Sequence, residues 1–172
     1  MLRRTLFMVG VAAVAVKRRL RGQSRGELQR MADEQLVTTP HKSEDIMGLD
    51  ASRALAVLVD PASSEFAKAK ACQRLGVVGN EAAVPALAAL LSDPKLSHYA
   101  RTALEPMPTG AADRALREAA GKLEGALLVG VVNSIGVRRD PRAIGVLAHL
   151  RYGDDREVAA AATAAISRIR RP

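Results

Sequence analysis

Apolar residues recur along this chain at the spacing of a helix face. In the stretch Arg74–Pro94 they stand at positions 84, 87, 90 and 91, which fall on one side of a helix. The stretch is rich in alanine and leucine, which have high helix propensity. It is nevertheless interrupted near its start by Gly76, Gly79 and Asn80.

The interruption recurs further along the chain. Residues 71–90 align with residues 131–150, so that Gly76 meets Gly136. Shorter matches to the same pattern lie between these two segments and near residue 166. Four apolar anchors, spaced 29, 31 and 31 residues apart, indicate a repeat array. The anchors are Leu75, Leu104, Ile135 and Ile166.

We interpret the interruptions as corners between helices. Gly76 or Gly79 can adopt the positive φ that ends a helix, and Asn80 or Asp140 can cap the helix that follows. Other boundaries combine a capping carboxylate with a proline or with a glutamate in the first turn. These boundaries are Asp60–Pro61, Asp93–Pro94, Asp140–Pro141, and Asp154 with Glu157.

The pattern predicts an all-α fold of four helix pairs. Aromatic residues make up 2% of the chain and Trp is absent, whereas a sheet favours aromatic and β-branched residues. Each pair contains an outer helix and an inner helix, and the inner helix carries the anchor. The predicted pairs are 48–59 with 64–78, 81–91 with 95–107, 111–123 with 126–138, and 141–152 with 156–170.

The stretch Ala69–Asp93 resembles a HEAT repeat, specifically the short variant named after phycobilisome lyases. The resemblance covers residues 50–169. It implies a right-handed α-α superhelix, a HEAT-like solenoid of about four helical hairpins, with the inner helices lining a concave surface. The third pair departs from the repeat pattern, because Pro106 and Pro108 are inserted at its corner.

The charge divides the chain into segments. Residues 1–30 hold eight basic residues and one acidic residue, a net charge of +7, which leaves 18 basic and 17 acidic residues elsewhere. We predict a basic and apolar N-terminal segment (1–21), a linker (22–46) and a HEAT-like repeat domain (47–172). Since the remainder is nearly neutral and lacks Trp, we expect no nucleic-acid binding by the repeat domain.

The N-terminal segment has two interpretations. Its apolar run, Thr5–Val16, spans about 18 Å as a helix, which is shorter than the roughly 30 Å core of a bilayer. The run has the length of a signal peptide, with an A-x-A-like cleavage site at 13–15. Basic residues follow directly at 17–19, a feature that Sec-type signals avoid, while Arg3–Phe7 partly resembles a twin-arginine signal.

The alternative is an uncleaved interfacial segment that contacts a membrane surface, attracted to anionic lipids by its flanking bases. Both a cytoplasmic and an exported location therefore stay open.

The sequence shows no pattern typical of catalysis. HEAT-like deoxyhypusine hydroxylases bind iron through paired His-Glu dipeptides, but His41, His98 and His149 are not followed by glutamate. Cys72 lies within the apolar pattern and is interpreted as a core residue. A bilin would need a roomy pocket lined by aromatic residues. We therefore predict no catalytic residue, no metal and no cofactor.

The inner-helix positions out of phase with the anchors should form a polar surface. We predict a non-catalytic scaffold module that binds a protein partner through this concave face. One alternative is a cofactor-lyase or enzyme-subunit role like that of the namesake family, and another is a membrane-tethered adaptor. The candidate partner-binding residues are Lys70, Gln73, Tyr99, Thr102, Asn133 and Arg138.

Overall fold

The computed structural model describes Gly26 and residues 43–171 of the chain. Residues 43–171 lie within a single compact unit of the chain. Every regular element in this part is a helix, and none is long and apolar enough to cross a bilayer. The prediction of an all-α fold is confirmed. The predicted N-terminal segment, residues 1–21, lies outside the described residues.

Nine α-helices follow one another between residues 43 and 170, and short 3₁₀ turns extend two of them. The turns Glu81–Ala83 and Leu90–Ser92 flank α4, and Pro141–Ala143 precedes α8. The helices are α1 (Ser43–Met47), α2 (Ala51–Val59), α3 (Glu65–Val78), α4 (Val84–Ala89), α5 (Ser97–Leu104), α6 (Gly110–Ala120), α7 (Gly125–Arg138), α8 (Ile144–Leu150) and α9 (Arg156–Arg170).

The ends of most of these helices lie within a few residues of the predicted ends. We call α2, α4, α6 and α8 the first helices, and α3, α5, α7 and α9 the second helices. The helix α1 falls at the end of the predicted linker, where its residue Ile46 is fully buried. This helix packs against α3, so the last residues of that linker belong to the folded unit.

Capping side chains were predicted correctly at three corners and misplaced at a fourth. One of the three is Asp93, whose Oδ1 accepts from the amides of Lys95 and Leu96 at 2.8 and 3.2 Å. The side chains of Asn80 and Asp140 each accept a hydrogen bond of 3.0 Å from the amide two residues later. At the start of α9 the cap is Asp155, which accepts from two first-turn amides at 2.9 and 3.1 Å. The prediction of Asp154 as the cap was wrong by one residue, because both carboxylates precede the same helix.

The expectation of a positive-φ glycine after α3 was wrong. Gly76 lies within α3, and Gly79 ends the helix with φ −68° and ψ 157°. The chain continues from there into Asn80, which is also extended, so no left-handed residue is needed. At the corner after α7 the left-handed conformation is adopted by Arg139, with φ 53°.

The predicted burial of the four anchors is confirmed. All four anchors, at positions 75, 104, 135 and 166, are at most 7% exposed. The residues four positions earlier, one turn away on the same face, are fully buried. Burying a leucine or isoleucine side chain contributes roughly 1.5–3 kcal/mol. The residues one turn before the anchors are Ala71, Ala100, Val131 and Ala162.

Consecutive second helices pack against one another in chain order. Helix α3 contacts α5, α5 contacts α7, and α7 contacts α9. Each second helix also packs against the first helix of its own pair, and among the first helices α4 contacts both α2 and α6. The core therefore runs between the two sets of helices.

At two of these contacts, glycine and alanine allow the helices to approach each other closely. A Cβ atom added at Gly76 would lie 3.2 Å from Cα of Ala103, at the contact between α3 and α5. A Cβ atom at Gly136 would lie 2.9 Å from Cα of Ala165, at the contact between α7 and α9. In both contacts, the glycine stands one residue after the anchor of its helix, and the alanine stands one residue before the anchor of the next second helix. The recurring glycine is thus required by helix packing.

Replacing Gly136 by alanine should destabilise the protein by roughly 1–3 kcal/mol, because the new methyl group meets the backbone of α9. The matched control is Gly145→Ala within α8, where an added Cβ meets nothing within 4 Å. That control should stabilise by roughly 0.5–1 kcal/mol through helix propensity. Urea unfolding of both full-length variants measures the difference, and equal effects would contradict the close contact.

Candidate partner-binding surface

Three of the candidate residues occupy the same position of consecutive second helices. Gln73, Thr102 and Asn133 each stand two residues before an anchor. Gln73 and Thr102 are exposed and Asn133 is half-buried. Because α3, α5 and α7 pack in order, the three side chains form a row across them. We call these three residues the polar row.

Lys70 and Tyr99 lie one turn before the polar row and are half-buried. The Nζ atom of Lys70 donates a 3.0 Å hydrogen bond to Oε1 of Gln73 and lies 5.7 Å from the ring centre of Phe66. The ring of Tyr99 packs edge-on against His98 with the centroids 5.5 Å apart. Aromatic rings therefore accompany the polar row on α3 and α5.

Apolar side chains lie on the other side of the polar row. Val77, Pro106 and Val137 each stand two residues after an anchor and are exposed. Val77 is 73% exposed and Val137 is 54% exposed. We call these three residues the apolar row. Contiguous exposed apolar residues are typical of surfaces that contact another molecule.

Arg138 has a different environment from the other candidates. Its side chain is 8% exposed, and its guanidinium group donates to five acceptors around the corner between α5 and α6. Nε donates to Oδ1 of Asp113 at 2.5 Å. The other acceptors are the carbonyl oxygens of Leu104 at 2.7 Å, Glu105 at 2.9 Å, Met107 at 2.7 Å and Thr109 at 3.1 Å.

These contacts explain how the irregular corner is held. Pro106 and Pro108 lack N–H groups, so the corner cannot continue the hydrogen-bond pattern of α5. The carbonyl groups of Leu104, Met107 and Thr109 also accept a main-chain hydrogen bond. Arg138 adds a donor to each of these three and to the carbonyl group of Glu105. Sequence reasoning placed Arg138 on the polar surface of the inner helices, but its side chain is largely buried because it reaches the corner between α5 and α6. We therefore leave Arg138 out of the proposed binding surface.

A polar cluster joins α5 to α7. Nη1 of Arg101 donates to the carbonyl oxygen of Gly130 at 3.1 Å and to Oγ of Ser134 at 3.3 Å. Oγ of the fully buried Ser134 donates to Oε1 of Glu105 at 2.7 Å. Burial lowers the pKa of Arg101, and the nearby carboxylate of Glu105 opposes that shift. The contact between the two middle helices is therefore made partly by hydrogen bonds between charged side chains of the α5 side and uncharged groups of α7.

Sequence reasoning missed this cluster, although a signal for it was present. Glu105 and Ser134 stand at the repeat positions that glycine and alanine occupy at the contacts α3–α5 and α7–α9. Gly130 is a second signal, because a Cβ atom there would lie 2.7 Å from Cζ of Arg101. Departures from the small-residue pattern thus mark the polar contact.

Another ion pair that sequence reasoning missed joins the third and fourth pairs. Arg117 of α6 pairs with Asp140, whose side chain is 5% exposed. Asp140 is also the cap of the turn before α8. One carboxylate therefore connects two successive helix pairs.

Residues with reactive or metal-binding side chains are dispersed. Cys72 is fully buried, and burial raises the pKa of its thiol to about 12, so the group is protonated at neutral pH. His98 and His149 are exposed on different helices, and His41 lies outside the described residues. Within the part of the chain that the structure describes, no group of three or more His, Cys, Asp or Glu side chains is arranged around a metal position.

Two hollows open at the surface away from the polar row. One, of 210 Å³, lies between α4 and α6 and is lined mainly by alanine and leucine. The other, of 330 Å³, lies between the start of α7 and the loop before α9 and includes Glu124, Asp154 and Asp155. Both are at or below the small end of ligand-binding pockets, which start at roughly 300 Å³.

No model of a known protein family matches this chain, and no curated protein matches it in sequence. The surfaces of the molecule are therefore the basis for assigning it a function.

Proposed function

We propose that the four helix pairs form a HEAT-like right-handed superhelix, which acts as a non-catalytic module that binds a partner protein. Three features support this architecture: anchors at a regular period, second helices that pack in chain order, and glycine–alanine contacts at equivalent positions. In a superhelix of this kind, the second helices line the concave side. The polar row and the apolar row would then face the partner.

The observation that carries this proposal is the chemistry of the two rows. The polar row consists of uncharged side chains on α3, α5 and α7, and the apolar row consists of valines on α3 and α7 and the proline that follows α5. The central parts of protein–protein interfaces are depleted of charged residues and contain exposed apolar groups. Phe66 and Tyr99 add aromatic rings beside the rows, and aromatic residues are enriched where binding energy is concentrated.

The experiment introduces three negative charges into the polar row of the full-length protein. The variant is Gln73→Glu, Thr102→Glu and Asn133→Glu. The matched control introduces three negative charges at exposed positions of the first helices α4 and α8 and of the turn after α4. Its substitutions are Ala89→Glu, Ser92→Glu and His149→Glu. Circular dichroism and thermal unfolding establish that both variants are folded.

Affinity capture from the source cells, quantified by mass spectrometry, compares these variants with the wild type. We expect proteins that the wild type and the control capture to be lost with the polar-row variant, because charge on an interface core must be desolvated without a partner. If the polar-row variant still captures these proteins, or if both variants lose them equally, binding through the second helices is contradicted.

A further inference from the structure

Five exposed arginines lie where α7 and α9 end. Helices α7 and α9 pack against each other, and Arg139 and Arg170 stand at equivalent positions, four residues after their anchors. The side chain of Arg168 lies across α7, with Cδ 3.5 Å from the position that a Cβ atom of Gly136 would take. We call this surface the arginine edge. It consists of Arg139, Arg142, Arg168, Arg170 and Arg171.

Among the described residues, no carboxylate pairs with any of these five side chains. The carboxylate at this corner, Asp140, is buried and already pairs with Arg117. Acidic residues of the fourth pair, Asp154 and Asp155, precede α9, at the opposite end of a helix about 22 Å long. The total charge of the repeats is close to zero, but five positive charges are therefore grouped at this edge.

Helix dipoles account for only part of this arrangement. Arg168 and Arg170 lie in the last turn of α9, where a cation is favoured by the helix dipole. Arg142 lies in the turn before α8. This is the N-terminal end of the helical segment, where the helix dipole disfavours a cation. The presence of Arg142 adds positive charge to the edge at a position that the local helix does not favour.

The surroundings of the arginines indicate the chemistry of a ligand. Guanidinium groups bind carboxylates and phosphates through paired hydrogen bonds. None of the five residues of the arginine edge is an aromatic residue on which a nucleic-acid base could stack. Beside Arg168, at the equivalent position of α7, lies the exposed Val137. This combination fits an acidic peptide that also carries an apolar side chain.

We propose that the arginine edge binds an acidic segment of a partner protein. Its carboxylates pair with the guanidinium groups, and an apolar side chain packs against Val137. Val137 belongs to the apolar row, so the arginine edge continues the surface assigned above. This inference rests on the proposed function and names the chemistry of the partner.

The test measures binding of a labelled probe to the full-length protein by fluorescence anisotropy. The probe is a twelve-residue peptide of glutamate, serine and leucine, compared with the same peptide in which glutamine replaces glutamate. The edge variant is Arg139→Gln, Arg168→Gln and Arg170→Gln. The control, Arg114→Gln, Arg151→Gln and Arg156→Gln, removes three charges from exposed positions elsewhere.

We expect the edge variant to bind the acidic peptide about tenfold more weakly than the wild type, since several exposed charge pairs each contribute a small amount. The control should lose less than about twofold, because its total charge is the same but the arginine edge is intact. Equal losses in the two variants, or no preference for the acidic peptide over the glutamine peptide, would overturn the proposal.

Two further probes separate carboxylate from phosphate as the ligand. Duplex DNA and vesicles of anionic phospholipid are titrated with the same variants, and tighter, edge-dependent binding of either probe would also overturn the proposal. The polar-row variant separates this inference from the proposed function. If partner capture depends on the polar row but not on the arginine edge, the proposed function stands and this inference fails.

Discussion

Replacing Arg138 by methionine should destabilise the protein by roughly 3–5 kcal/mol, the usual result of removing one partner from a buried ion pair. Methionine keeps much of the aliphatic volume but donates no hydrogen bond. Asp113 and the carbonyl group of Glu105 would lose the donor that Arg138 supplies, and the other three carbonyl groups would keep only a main-chain donor. Urea unfolding of the full-length variant measures the change in free energy.

Two controls separate this effect from the loss of any surface charge. Arg156→Met removes an exposed arginine and should change stability by less than about 0.5 kcal/mol. Adding Asp113→Asn to Arg138→Met should recover part of the loss, because the unpaired carboxylate is removed with its partner. If Arg138→Met behaves like the surface control, the guanidinium does not hold the corner, and the residue returns to the candidate binding surface.

Replacing Leu104 by alanine should cost roughly 2–5 kcal/mol through lost burial and the cavity that remains. Leu104 is fully buried in α5, the helix that contacts both α3 and α7. Such a loss is a large part of the roughly 5–15 kcal/mol that stabilises a typical domain. The control is Val77→Ala at an exposed position, and a loss for Leu104→Ala as small as that of the control would contradict the repeat register.

Hydrogen exchange on the Leu104→Ala variant should show which helix pairs unfold together and between which helices the contact opens first. The contacts α3–α5 and α7–α9 are close glycine–alanine packings, whereas α5–α7 joins through polar side chains. We therefore expect the first two pairs and the last two pairs to lose protection as separate blocks, since repeats interact mainly with their neighbours. Equal loss of protection in all four pairs would indicate one cooperative unit.

The helices and their order could be predicted from the sequence because the information is local. Leu75, Leu104 and Ile135 recur at spacings of 29 and 31 residues, and within each helix the buried face is marked by apolar residues at the helical period. The caps Asn80 and Asp140 act on amides two residues away. The outward position of Gln73 and Thr102 followed from the same periodicity, so that part of the candidate surface was also predictable.

The role of Arg138 was decided only by the tertiary structure. Its carbonyl acceptors lie 29 to 34 residues earlier in the chain, in a corner that two prolines make irregular. Glu105 and Ser134 likewise meet across 29 residues. A periodic pattern determines which face of a helix is buried. It does not determine which long polar side chain reaches the carbonyl groups of a neighbouring corner, because that depends on how closely the packed helices approach.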